Sequence, residues 1–291
     1  MFQVASYSTP FNMLPQQPRH AAAGAGHHCS SVQLPATLAR PHYSEVSPSA
    51  IEAVSPDLAG VSPEYIRRSL RSETPQMLAG ISALAPSHLP SILPKSHLPG
   101  ALSVPVRSSS PSSRLFPTHV LAVSSTKSPS EQCMVFPIHA LVLASHCAHL
   151  PAIPPAQSQL AGQSLVKLPV LPFALPSPPA FGIIHNFMYT HRLEPVFRSL
   201  LPVPAGFFQS ITHETVLDTL NARETCMQLS AYLCSQEQGD LQKLTTHAVH
   251  VKELWQDMVA LGIYSPDLWD AVDLAWRIII GALTIAARNA N

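Results

Sequence analysis

Proline placement constrains what this chain can fold into more than any other feature of its sequence. The chain has 30 prolines among 291 residues, and all of them except Pro266 lie at or before Pro204. Because proline removes a backbone donor and breaks helix interiors, long helices are expected mainly after residue 205. We predict an α+β protein in which a small mixed sheet with flanking helices is followed by an α-helical C-terminal bundle.

The same signal divides the chain into five segments. They are a disordered tail over 1–60, a docking helix within 61–85, a Pro/Ser-rich linker over 86–115, an α+β core over 116–200 and a helical region over 201–291. In the docking helix, Ser62 is the expected N-cap and Thr74–Pro75 is expected to interrupt the helix. This helix packs either on the main domain, which we favour, or on a partner.

Apolar patterning places the individual elements. Strands are predicted at 118–125, 134–139 and 165–175, and helices at 139–150, 178–192, 213–235, 240–261 and 266–287. Pro169 and Pro172 interrupt the last strand, which favours an edge position for it. Thr212 is an expected N-cap and Gly262 an expected C-cap.

Charge and composition exclude several classes of function. Seventeen Lys and Arg balance seventeen Asp and Glu, so the chain has no basic surface for gripping nucleic acid or an anionic membrane. The best candidate membrane span, Ile278–Ala287, is too short to cross a bilayer. Five cysteines without a CxxC pair and a start without a secretory pattern favour a soluble intracellular protein with reduced thiols.

The sequence carries no strong catalytic motif, and we predict no catalytic, cofactor-binding or metal-binding residue. His146, Cys147 and His149 lack the second ligand pair that structural zinc requires. A metal-dependent hydrolase hidden among the histidines and cysteines stays open as the weakest alternative. Cys147 and His139 could imitate a nucleophile and its base, but a buried small thiol is the commoner case. Four aspartates are interpreted as charges on solvated helix faces: Asp257, Asp267, Asp270 and Asp273.

Serine or threonine precedes proline at nine places in the chain. In flexible segments such pairs can accept phosphate from proline-directed kinases. Ser47, Ser55 and Ser110 are the candidates, since Ser177 and Ser265 stand where helix caps are expected.

All three tryptophans lie in the last two predicted helices, which a short connection over 262–266 joins. Such a connection makes the helices antiparallel neighbours, so Trp255, Trp269 and Trp276 are expected in a core between them. A tryptophan that is instead exposed is expected to bind a partner. Six further residues are candidates for partner binding or structural roles: Tyr65, Arg67, Arg68, His139, Tyr189 and Arg192.

Two stretches resemble the BTB/POZ domain. FPIHALVLASHC (136–147) has His139, Leu143, Ala144 and Cys147 in the register of that pattern. FGIIHNFMYTHRL (181–193) is similar to its second half, with matches at Phe181, Tyr189, Thr190, Arg192 and Leu193. His191 stands where that family usually has glycine. The resemblance implies a BTB/POZ-like core that offers a dimer or partner face.

A second resemblance covers more of the chain. SPEYIRRSL with PQMLAG (62–80), FPTHVLAV (116–123), FMYTHRL (187–193), LLPVPAGF (200–207) and HVKELWQDMVALGIYSPDLWDAVDLAW (250–276) look like the clampless family of basidiomycete fungi. Residues 1–60 carry no part of it.

The clampless resemblance implies a non-enzymatic regulator of clamp-cell formation and dikaryon proliferation, in nucleus and cytoplasm, without a cofactor. Its expected partners are homeodomain or other transcription factors of the mating-type pathway, with homodimerisation open and no direct contact with nucleic acid or membrane. The alternative, which the BTB/POZ resemblance implies, is a substrate adaptor of a cullin ubiquitin ligase.

Overall fold

The structure, a computed structural model, describes residues 34–107, 115–128, 130–154, 164–208, 211–263 and 265–290. Residues 1–33 of the predicted disordered tail and the phosphorylation candidate Ser110 lie outside these ranges. The strands are β1 Ile92–Pro94, β2 Ala101–Pro105, β3 His119–Ser125, β4 Gln132–Ile138 and β5 Leu165–Leu175. The helices are α1 Pro48–Val54, α2 Pro63–Ser82, α3 Ala140–His146, α4 Pro178–Thr190, α5 Leu193–Leu200, α6 Ala205–Phe208, α7 His213–Asn221, α8 Arg223–Gln236, α9 Leu241–Leu261 and α10 Pro266–Asn289.

The five strands form one mixed sheet in the order β1-β4-β3-β5-β2. β3 and β4 are an antiparallel pair, and β5 runs parallel to β3 after the chain has crossed through α3. β5 therefore lies between two neighbours, and the predicted edge position is wrong. Its prolines are tolerated because β2 pairs only with residues 165–169 and β3 only with residues 170–175, so each half of β5 is paired on one side.

The predicted linker over 86–115 contains β1 and β2, so that prediction is wrong for these residues. Both strands are short, and each ends on a proline, Pro94 or Pro105, where a missing backbone donor costs little. Val104 is fully buried and anchors β2 to a second small core beneath the sheet. One buried residue in a Pro/Ser-rich stretch leaves no periodic signal in the sequence.

The segment from residue 34 to residue 60 is ordered, which corrects the prediction of a disordered tail for this part. α1 lies here and packs on α3. Its Ile51, together with Val46, is almost completely buried in a small core that also contains Ile66 and Ala144. Isolated apolar anchors of this kind are sufficient to order the segment because the rest of the protein supplies the partner surface.

The docking helix α2 packs on α3 and α4 of the main domain, as predicted, and runs unbroken through Pro75. The predicted interruption is therefore wrong. Arg67 Nη1 donates to the Ser145 carbonyl at 2.7 Å, and Thr74 Oγ1 donates to the Tyr189 carbonyl at 2.8 Å. Gly80 meets the backbone of Leu115 so closely that a Cβ atom would lie 1.8 Å from its carbonyl oxygen. These contacts hold α2 in place despite the proline.

The C-terminal region is helical as predicted, although the helix expected over 213–235 is split into α7 and α8 at Ala222. The carbonyls freed at the end of α7 find side-chain donors, because Cys226 Sγ bonds the Thr219 carbonyl and Arg277 bonds the Leu220 carbonyl. Gly262 ends α9 in the left-handed conformation, and Thr212 forms a capping box at the start of α7.

One hydrophobic core joins the two regions that the sequence separates at residue 200. Its buried residues run from Leu38 to Ala286 and include Phe181 and Phe187 of α4 and Trp276 of α10. Within the described ranges, no helix is long and apolar enough to span a membrane.

Candidate interaction site

Two tryptophans of the C-terminal helices hold an N-terminal segment against the protein. Trp255 Nε1 of α9 donates to the Ala39 carbonyl at 3.0 Å, and Trp276 Nε1 of α10 donates to the Pro35 carbonyl at 3.1 Å. The side chain of Leu38 enters the main core. We call residues 34–40 the N-terminal strap, and we call the surface of α9 and α10 beneath it the strap groove.

Carboxylates at the first turns of α10 bind the end of the strap. Arg40 Nε donates to Asp273 Oδ2 at 2.9 Å, and the Arg40 guanidinium also pairs with Asp270. His213 Nε2 lies 2.6 Å from Asp270 Oδ2. Burial alone would raise the pKa of Asp270, but the hydrogen bonds from His213 and Arg40 outweigh it and hold this pKa below its ordinary value. At Asp273 burial prevails, and the pKa is raised.

The contacts of the strap are few for its length. Burying Leu38 is worth about 1.5–3 kcal/mol. Each indole hydrogen bond adds about 1 kcal/mol, and the half-exposed Arg40 pairs add roughly 0–1 kcal/mol. Five of the seven strap residues are exposed, and Leu38 alone is buried.

The three tryptophans differ in burial. Trp276 is 2% exposed and Trp269 is 7% exposed, and the Trp269 indole donates to the Ile263 carbonyl at 3.0 Å. Trp255 is only half-buried and packs at the margin of the core. The expected core position is thus found for Trp269 and Trp276, whereas Trp255 lies where the strap crosses α9.

The two BTB/POZ-like stretches meet in a buried contact between His139 and Tyr189. The Tyr189 hydroxyl accepts the His139 backbone N–H at 2.9 Å and lies 2.9 Å from Nδ1. The Nε2 of His139 lies 3.1 Å from the Leu115 carbonyl, which assigns the proton to Nε2 and leaves Nδ1 to accept from Tyr189. Burial lowers the pKa of His139 to about 4, so the ring is neutral, and burial raises the pKa of Tyr189.

The other candidate residues do not form a common site. Tyr65 is 64% exposed on α2, Arg68 faces Glu64 at 3.9 Å, and Arg192 pairs with Glu194 at 2.7 Å. Among the phosphorylation candidates, Ser47 is exposed and precedes α1, whereas Ser55 is half-buried.

His191 ends α4 in the left-handed conformation, with φ of 49°, at the place where the BTB/POZ pattern has glycine. Its ring lies 5.3 Å from the ring of His146 and 5.5 Å from that of Phe187. Burial lowers the pKa of His146 to about 3 and that of His191 to about 4. These ring contacts stabilise a left-handed backbone conformation that residues other than glycine rarely adopt.

The residues that could imitate a nucleophile or a metal site lie in the core. Cys147 is 1% exposed, burial raises its pKa, and its thiol contacts Met188 rather than His139. In the part of the chain that the structure describes, no group of three or more His, Cys, Asp and Glu side chains could hold a metal ion.

Comparison with known protein families supports one assignment. The Clampless protein 1 N-terminal domain matches residues 41–176, and the Clampless protein 1 C-terminal domain matches residues 194–291. The chain belongs to the clampless protein 1 family. Neither curated proteins nor solved structures give a match.

The two family matches include the strap groove but not the strap. The N-terminal match begins at residue 41, so the expectation that residues 1–60 carry no part of the resemblance is wrong for 41–60. The strap ends one residue before that match, whereas the strap groove lies within the C-terminal match. Membership of this family points to a role in clamp formation and sexual development.

Sequence reasoning missed the strap and misread two aspartates. Asp257 is fully buried and Asp270 is 9% exposed, so neither lies on a solvated face as predicted. Asp257 Oδ1 accepts the Ser177 backbone N–H at 2.9 Å. The only local signals were the leucine and the arginine at positions 38 and 40, and their partners lie more than 200 residues away.

Proposed function

We propose that this protein is a non-enzymatic regulator of clamp-cell formation and dikaryon proliferation. It acts by protein–protein contact with homeodomain or other transcription factors of the mating-type pathway, in nucleus and cytoplasm. The observation that carries the proposal is the match of both clampless domains, which together cover most of the chain.

Contact with proteins rather than with DNA is supported by the charge of the chain. Positive and negative residues balance, and charged residues make up only 12% of the sequence. DNA-binding surfaces neutralise phosphates with clustered Lys and Arg. The purified full chain should leave a DNA fragment unshifted at physiological salt, and a shift without any partner contradicts this part of the proposal.

A non-enzymatic role is supported by the burial and protonation of Cys147 and His139, the candidate nucleophile and base. The thiol of Cys147 is buried with a raised pKa. Burial keeps the His139 ring neutral, and both of its nitrogens are hydrogen-bonded, to Tyr189 and to the Leu115 carbonyl. A cysteine nucleophile requires an accessible thiolate with a lowered pKa. These two residues therefore serve the packing of α3 against α4.

The core formed by β3, β4, α3, β5 and α4 is proposed to be BTB/POZ-like. This proposal is supported by the contact of His139 with Tyr189, which joins the two stretches that carry the resemblance. A BTB/POZ-like core offers a face for a second copy or for a partner. Sedimentation of the purified full chain tests the first use, since self-association produces a dimer whose population rises with concentration.

The partner class is tested by crosslinking and recovery of the tagged full chain from mating cells, with vegetative cells as the control. We expect mating-type-pathway transcription factors in the mating sample and not in the control. Recovery of a cullin in place of transcription factors would instead identify the protein as a ubiquitin-ligase adaptor.

A further inference from the structure

The strap groove contacts the strap, a non-helical segment with bends at Ala36 and Thr37, largely through the backbone of the strap. Two indole N–H groups, on Trp255 and Trp276, bind two carbonyls of the strap that lie four residues apart. Leu38, which lies between these two strap residues in the sequence, is buried, and Arg40 faces the carboxylates of Asp270 and Asp273. This is the chemistry of a peptide-binding groove, in which backbone contacts give affinity and one or two side chains give specificity.

The strap buries few of its own residues against the strap groove. The strap exposes Ala36, Thr37 and Ala39, and the Arg40 side chain is 39% exposed. The strap also precedes both clampless domains, whereas the groove belongs to the C-terminal one. The groove therefore lies within the C-terminal match, and the strap lies just outside the N-terminal match.

We propose that the strap groove is a docking site for a non-helical segment of a partner protein, and that residues 34–40 close it in this chain until the partner displaces them. The partner segment carries a leucine and, two residues later, an arginine, as the strap does at Leu38 and Arg40. Asp270 and Asp273 select the basic residue and repel an acidic one in its place. The existence of an external partner rests on the proposed function; the groove itself does not.

The test opens the groove within the full chain. The double variant Leu38→Asp with Arg40→Glu removes the buried anchor and reverses the charge that faces Asp270 and Asp273. The probe is a fluorescent synthetic peptide of residues 34–42, and its binding is measured by anisotropy. We expect the double variant to bind the peptide at least about ten-fold more tightly than the wild-type chain does, because the strap no longer competes.

Two tryptophan substitutions in the double variant provide matched arms. Trp255→Phe removes an N–H that binds the strap and should weaken peptide binding about five-fold, the value of one hydrogen bond. Trp269→Phe removes the same group from an indole that bonds Ile263 instead, and it should leave binding unchanged. A peptide with glutamate in place of the arginine should fail to bind.

Three results overturn the proposal. The first is that the wild-type chain and the double variant bind the peptide with equal affinity. The second is that the double variant melts as a folded protein but does not bind the peptide. The third is that residues 34–40 stay protected from hydrogen exchange after both substitutions. Peptide binding to the double variant combined with no transcription factor in the crosslinking experiment retains the groove and rejects the proposed partner class. The reverse pattern retains the partner class and rejects the groove.

Discussion

Asp257→Asn should stabilise the protein at neutral pH, although it removes a buried carboxylate. Asp257 lies in α9, fully buried, and its Oδ1 accepts the backbone N–H of Ser177 at the start of α4. Its Oδ2 has no hydrogen-bond partner among the described residues. Burial raises the pKa to about 7; the Ser177 N–H and Lys127 oppose this shift, and Glu253 adds to it.

The sign of the effect follows from proton binding in the two states. In the unfolded chain the carboxyl group loses its proton near 3.8, and in the folded protein near 7. Between these values the folded state binds more protons, so stability falls as pH rises and becomes constant above pH 7. Three pKa units correspond to roughly 4 kcal/mol. The dipole of α4 favours the charged form and offsets up to about 1 kcal/mol of this.

Asparagine retains the acceptor for Ser177 and is never charged. We therefore expect the variant to exceed the wild type by roughly 2–4 kcal/mol in free energy of unfolding at pH 8, with the difference vanishing near pH 4. Urea denaturation at several pH values measures this difference directly. Asp218→Asn, the same substitution at an exposed position on α7, is the control. A difference that is flat across this range, or a variant less stable at pH 8, would refute the reasoning.

Three further changes follow from the packing. Tyr189→Phe should cost about 1–3 kcal/mol in urea denaturation, because the N–H and Nδ1 of His139 lose their partner. Gly80→Ala should cost about 1–3 kcal/mol through overlap with a backbone carbonyl. Gly100→Ala should leave the melting temperature unchanged, because no described residue apart from its chain neighbours lies within 4 Å of the added Cβ atom. Lowering the pH from 6.5 to 4.5 should lower the melting temperature of the Asp257→Asn variant. Three buried histidines, His139, His146 and His191, bind protons at a higher pH in the unfolded chain than in the folded protein. An unchanged melting temperature would contradict this.

The parts of the fold that could be predicted are those that local sequence determines. The apolar residues of α9 and α10 recur at helical spacing. Thr212 caps the start of α7 and Gly262 caps the end of α9, and both residue types are common at these positions. The strands β3, β4 and β5 lie within a residue or two of their expected positions because each is a compact apolar run. Local propensity and tertiary packing agree in these elements.

The parts that sequence reasoning missed depend on distant partners. α1 and β2 are each fixed by one or two buried residues, such as Ile51 and Val104, in segments that otherwise resemble linkers. Pro75 is tolerated inside α2 because neighbouring side chains bond to the main domain. Ser177 was expected to cap α4, but its hydroxyl donates to Glu253 at 3.1 Å. No local pattern contains this information.

The candidate site divides in the same way. The tryptophans were identifiable as important because three of them fall in two adjacent helices. The strap was not identifiable, because a Leu-x-Arg sequence becomes a binding segment only once Asp270 and Trp255 are placed beside it. The contact between His139 and Tyr189 could be expected only from the order of the two BTB/POZ-like stretches.

Deletion of the gene in the fungus that encodes this chain tests the central claim most directly. The account predicts that mated cells without the protein fail to form clamp cells, and that the wild-type chain restores them. It also predicts that the Cys147→Ala chain restores them, since this thiol has no catalytic part. Normal clamp cells in the deletion strain would contradict the role in sexual development. Failure of a stably folded Cys147→Ala chain to restore them would contradict the non-enzymatic account.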